Sequence, residues 1–122
     1  MQKDTVLSLS PSKTALDVRE SALRNGGMKV ISVMSPIQAR FEIEMGRCGV
    51  LLICYRLSGT DAHDLAKLFR KSCPEGIVVY VTEPSSDHDL PPGTDFVVPE
   101  SAGPDLIVQT LQGGRDSQSS AA

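Results

Sequence analysis

Among the residues able to do chemistry, Cys54 stands out. It closes the apolar run Gly49-Val-Leu-Leu-Ile-Cys54, and a short loop then leads into a helical segment. A thiolate there would be stabilised by the positive end of the helix dipole and could act as a nucleophile. A loop of the Cys-x5-Arg kind, which cradles an anion, needs an arginine at position 60; Thr60 stands there instead, and Arg56 has the wrong spacing. Buried cysteine is also a common small core residue, and that inert role is the one expected of Cys54. Cys48 and Cys73 have no CxxC or Cys/His spacing, and an odd total of three argues against a disulfide framework or a zinc site.

His63 and His88 lack a partner at any recognisable spacing and are expected to be solvated. The acids Glu83, Asp87, Asp89 and Asp95 surround a proline-rich stretch without the Asp/Asn spacing and glycine of a calcium loop, so a solvated loop is expected there. Thr82 ends an apolar run, and its hydroxyl suits a strand-end cap as well as an anion contact.

The bulk properties narrow the classes. With 122 residues, 40% of them hydrophobic, the chain can close one core without staples. A net charge of −3 leaves no basic footprint, so no nucleic-acid partner is expected. No apolar run approaches the roughly 20 residues needed to cross a bilayer, and the N-terminus has no signal-like apolar stretch. No membrane association and a reducing, cytoplasmic location are therefore expected. Residues 1–112 are expected to form one domain, followed by a disordered tail over 113–122 that is low in complexity and rich in Gly, Ser and Ala.

The elements that must position these residues follow from periodicity. Thr5 to Leu9 reads as a strand, stopped by Ser10-Pro11-Ser12. A helix follows with Ala15, Leu16, Ala22 and Leu23 at helical spacing, ended by Asn25-Gly26-Gly27. Met28 to Met34 is a second strand. Ser35, Pro36 and Gln38 start a second helix, whose Ile37, Phe41 and Met45 form an apolar stripe expected to pack on the sheet. Gly49 to Cys54 and Gly76 to Thr82 are almost wholly apolar, as strands covered on both faces are. Between them Thr60 to Ser72 is helical, with Leu65, Leu68 and Phe69 on one side. Glu83 to Thr94 reads as a loop, Asp95 to Val98 as a short strand and Pro104 to Gln112 as a closing helix with Leu106, Ile107 and Leu111 inward. Alternating strands and helices require a parallel sheet with right-handed crossovers, and sites then lie beyond the carboxyl ends of the strands.

This order of elements over residues 5–112 resembles the receiver domain of response regulators, with its flavodoxin-like (βα)5 fold. Three segments carry the likeness: Val50 to Asp61, which looks like the third strand, the phospho-acceptor and the following loop; Val78 to Thr82, which looks like the fourth strand with its terminal hydroxyl; and Gly93 to Val98, which looks like the Gly-Ala-Asp-aromatic lead-in to the fifth strand. The resemblance implies a five-stranded parallel sheet with helices on both faces, the fourth helix being shortened or missing. It also implies a degenerate phospho-acceptor pocket. Ser10 and Pro11 stand where the family has an acidic pair that holds magnesium, Cys54 replaces the acceptor aspartate, and Val98 runs into Pro99 where a lysine is expected. Of these positions, Thr82 alone keeps a residue type suited to its family role.

Mg²⁺ relies on carboxylates and phosphate oxygens, so no cofactor and no aspartyl-phosphate switch are expected. What the resemblance implies is a non-catalytic pseudo-receiver of the two-component type, acting by contact with a histidine kinase, another signalling protein or itself. The first helix, which in the family faces the kinase, keeps its length and is the expected contact. The alternative is a thiol enzyme or redox sensor that uses Cys54 in the manner of rhodaneses or cysteine phosphatases.

Overall fold

Short strands and longer helices alternate because a serine soon after each of the first three apolar runs caps the helix that follows. The computed structural model describes residues 5–83 and 90–120. Strand β1 (Thr5–Leu9) leads to α1 (Lys13–Asn25), where the Ser12 hydroxyl accepts from Ala15 N–H. Strand β2 (Lys29–Val33) leads to α2 (Pro36–Glu44), where Ser35 accepts from Gln38 N–H and the Gln38 amide oxygen accepts from Met34 N–H. Strand β3 (Val50–Cys54) leads to α3 (Gly59–Ser72), where Ser58 accepts from Asp61 N–H. Each cap satisfies an amide that would otherwise have no partner, a contribution of about 1 kcal/mol. Strands β4 (Ile77–Thr82) and β5 (Phe96–Pro99), a 3₁₀ turn (Glu100–Ala102) and α4 (Pro104–Ser120) complete the described chain.

The five strands form one sheet in the order β2-β1-β3-β4-β5, and all four pairings are parallel. The α/β, flavodoxin-like expectation therefore holds. Alternate residues of the central strands feed two cores. Leu7, Leu9, Leu51, Ile53 and Val78 pack with Ala39 and Ile43 of α2 and Leu65 and Phe69 of α3. Val6, Leu52, Cys54, Val79 and Val81 pack on the other face with Leu23 of α1 and Ile107 and Leu111 of α4. At the end of α1, a Cβ on Gly26 would lie 2.7 Å from a Val108 methyl, so glycine allows α4 its close approach.

Two expectations need correction. Ile37, Phe41 and Met45 do not pack on the sheet: they are 82%, 53% and 53% exposed. Ala39 and Ile43 are buried in their place. These two also lie four residues apart, so α2 offers two apolar stripes, and the one with the small alanine admits the closer approach to the sheet and to α3. The second correction concerns the closing helix, which runs to Ser120 rather than ending at Gln112, so the expected tail is helical over 113–120. Two glycines weaken a helix by about 1 kcal/mol each but do not block it as proline would.

Among the described residues, no helix joins β4 to β5. Asp87, His88 and Asp89 of that connection lie outside the described residues. Arg70, near the end of α3, fastens the segment that enters β5. Its guanidinium donates to the carbonyls of Pro74, Gly76 and Gly93 and to Asp95 at 2.9 Å. Asp95 in turn accepts from Val78 N–H at 2.8 Å, within β4. Gly93 adopts φ 76°, a left-handed conformation that suits glycine. The substitution Arg70→Ala should lower stability by about 2 kcal/mol, the scale of hydrogen bonds to charged groups. Urea unfolding measures the loss, and amide exchange should accelerate first at Val78 and residues 93–95.

Candidate functional site

The carboxyl ends of β1, β3, β4 and β5 meet at one edge of the sheet, and the five residues expected there behave differently. Ser10 is fully buried; its N–H donates to Val33 O and its hydroxyl accepts from Ser12 N–H at 3.1 Å, so it serves the turn into α1. Pro11 is exposed. Cys54 has no exposed surface and packs in the core between the sheet and the α1/α4 pair. Thr82 is half-buried, with its hydroxyl 3.4 Å from Glu83 O, and it pairs in register with Pro99, which ends β5. Ser10, Pro11 and Cys54 place no carboxylate at this edge.

The charge at this edge comes from Glu100, Arg19 and Arg56, of which motif reading weighs only Arg56, beside Cys54. Glu100 follows Pro99, and its carboxylate is held by two arginines from other segments. Arg19 of α1 donates to Oε2 at 3.0 Å, and Arg56, in the loop after β3, grips both oxygens, with Nη2 3.0 Å from Oε1 and Nη1 on Oε2. The Tyr55 hydroxyl donates to Oε1 at 2.9 Å, and the Arg56 guanidinium stacks 4.9 Å from the Tyr55 ring centroid. The hydrogen bonds from Arg56 lower the Glu100 pKa from its usual 4.5, outweighing the opposing effect of burial. The same carboxylate raises the Tyr55 and Arg56 pKa values.

Arg19 is the clearest residue missed from sequence. It is 4% exposed and lies between Leu16 and Leu23, the other buried residues of α1. Three residues after Leu16 and four before Leu23, it occupies the inward stripe, and a charged residue there signals a buried partner. Nothing local could identify that partner as Glu100, 81 positions away.

His63 is half-buried on α3, and Asp95 is engaged by Arg70 rather than free in solvent. Burial pushes the Cys48 thiol up to about 12, so it stays protonated at neutral pH. Cys73 is the one cysteine with partial exposure. Among the described residues, no group of three or more His, Cys, Asp or Glu side chains could hold a metal ion, and no helix is long and apolar enough to cross a membrane.

Because the pKa of Glu100 is depressed in the folded protein, its stabilising effect is complete above the unfolded value near 4.5 and is lost as pH falls through the lower folded value. The substitution Glu100→Gln leaves Arg19 buried without a charged partner and should cost about 2 kcal/mol at pH 7. Urea unfolding from pH 7 to pH 3 should show the gap between variant and wild type narrowing below about pH 4.5. A gap that stays constant would mean the Glu100 carboxylate adds nothing specific.

No family model and no curated protein sequence match the chain. Solved structures do. A CheY-like receiver domain protein of Methanospirillum hungatei superposes with a TM-score of 0.79 over 98% of each chain at 16% identity. A response regulator of Thermotoga maritima gives 0.77 over 91% of this chain and 96% of its own, also at 16% identity. A chemotaxis response regulator of Vibrio cholerae gives 0.74 over 88% and 95%, again at 16% identity. At such identities the likeness is one of architecture, and the chain has the fold of a response-regulator receiver domain.

Proposed function

We propose that this domain is a receiver-like signalling module that acts by protein contact and does not accept a phosphoryl group on aspartate. The observation that carries the proposal is the Arg19–Glu100–Arg56 cluster at the edge where phosphotransfer would occur. Transfer to a carboxylate needs an acceptor and a metal-binding acidic pair, arranged to stabilise the charge that develops. Here Ser10, Pro11 and Cys54 hold those positions, and the nearby Glu100 is saturated by two guanidiniums and a phenol. A magnesium ion would have to displace arginines that already neutralise it.

The test is incubation with acetyl phosphate and Mg²⁺, followed by intact mass, with iodoacetamide pulsed onto a parallel sample. No added phosphate is expected. The partly exposed Cys73 should alkylate before the buried Cys54 and Cys48. A phosphate adduct would overturn the proposal, and rapid alkylation at Cys54 would favour the thiol chemistry instead.

Contact is supported by the apolar surface on α2. Ile37 and Phe41 of α2, Met45 at its C-cap and Met34, 46% exposed just before it, are large apolar side chains open to solvent, while Ala39 and Ile43 of the same helix are buried. By contrast, the outer side of α1 carries the ion pairs Lys13–Asp17 and Glu20–Arg24. Four large side chains exposed by about half or more offer roughly 500 Å² per copy, so two copies would bury about 1,000 Å², the lower limit of specific interfaces. Arg40 and Glu44, both exposed, sit near these side chains four residues apart. An antiparallel second copy would bring Arg40 of each helix to Glu44 of the other, so the surface is self-complementary. A weak dimer is the expected state. Sedimentation velocity should show a concentration-dependent rise in mass that Ile37→Glu abolishes while the folding transition is unchanged. A monomer at all concentrations would rule out self-contact through α2.

A further inference from the structure

A cavity of about 240 Å³ lies between α1 and the start of α4. Its apolar lining includes Val18, Val81 and Ile107, and its polar lining includes Arg19, Arg56 and Glu100. Two features indicate what it would hold. First, the Arg19 guanidinium is buried, and while Nη2 donates to Glu100, Nη1 has no hydrogen-bond partner among the described residues. A buried charged donor left unpaired costs about 1–3 kcal/mol, so the site has an unmet need for an acceptor. Second, two arginines face one carboxylate, which leaves a single positive charge for a monoanion to balance.

We propose that this cavity binds a small carboxylate with an apolar body. The carboxylate takes Arg19 Nη1, and the body lies against Val18, Val81 and Ile107. As the ligand enters, Glu100 leaves Arg19 Nη2 for Arg56, which already grips both of its oxygens, and this frees the guanidinium edge that carries Nη1. A planar guanidinium matches a carboxylate through paired hydrogen bonds. A phosphate, mostly doubly charged near neutral pH, would overcompensate the single positive charge and gain nothing from the apolar wall. The volume equals that of about eight water molecules in the liquid, enough for a benzoate-sized body. Val18, 48% exposed, marks the mouth.

The test is a ¹H–¹⁵N NMR titration of the full chain with benzoate, benzyl alcohol and inorganic phosphate. Benzoate should give saturable shifts confined to α1, the loop after β3 and the first turns of α4, with affinity at least ten-fold above that of benzyl alcohol or phosphate. Arg19→Gln should weaken benzoate ten-fold or more. Val18→Trp, which fills the mouth and leaves every charge in place, should abolish binding, so the test stands even where Arg19→Gln does not fold. The proposal is overturned if benzyl alcohol binds as well as benzoate, which would make the cavity merely apolar. It is equally overturned if phosphate binds as well as benzoate, if benzoate still binds Val18→Trp, or if benzoate produces no saturable shift.

Discussion

The carboxylate of Glu100, placed between Arg19 and Arg56, ties together three segments far apart in the chain: helix α1, the loop after β3 and the turn after β5. Arg19 can be buried only because this carboxylate reaches it, since an unpaired guanidinium in the interior would carry a desolvation cost of several kcal/mol. Such pairs contribute more to a single defined arrangement than to net stability, because their attraction largely offsets the cost of removing both charges from water. The consequence for chemistry is an exchange of sides. The receiver resemblance implies carboxylates after the first and third strands and a cation after the fifth, whereas here the cations come from α1 and the β3 loop and the carboxylate follows β5.

A second arginine–carboxylate clasp completes the mechanical role of the first. Strand β5 has four residues, lies at the edge of the sheet and is entered without a preceding helix among the described residues. Such a strand makes few ladder bonds of its own. Arg70 and Asp95 fasten its entry to α3 and β4, and Arg19, Arg56 and Glu100 fasten its exit to α1 and the β3 loop. The strand is thus held at both ends by side chains, in a place where a crossover helix would ordinarily cover and brace it.

The sheet was legible in the sequence because buried parallel strands leave a one-dimensional signal: Val50 to Cys54 and Ile77 to Thr82 are apolar runs closed by turns and caps. Strand limits moved by only a residue or so. The orientation of α2 was not legible, because Ile37/Phe41/Met45 and Ala39/Ile43 both repeat every four residues, and choosing between them depends on the shape of the neighbouring surface. The cluster was legible only in part. An arginine in the inward stripe of α1 shows that a partner exists. The pairing of Arg19 with Glu100 is a tertiary fact set by the sheet order, which places the end of β5 near α1 through α4.

The two surfaces open to interaction sit on opposite faces of the sheet. The α1/α4 side holds the charged cluster and its cavity, and the exposed apolar side chains of α2 lie on the other side above a core of aliphatic and aromatic packing. Contact through α2 requires no change in the cluster, since Ala39 and Ile43 anchor that helix independently of Arg19 or Glu100. Communication between the faces would have to pass through β1 and β3, whose side chains alternate between the two cores and are fully buried in both. Packing that tight transmits a displacement but allows few alternative arrangements. The cluster is the more adaptable element. Glu100 accepts four hydrogen bonds from three residues, only one of them from Arg19. In the turn after β5 a single carboxylate thus decides how firmly α1 and β5 are joined.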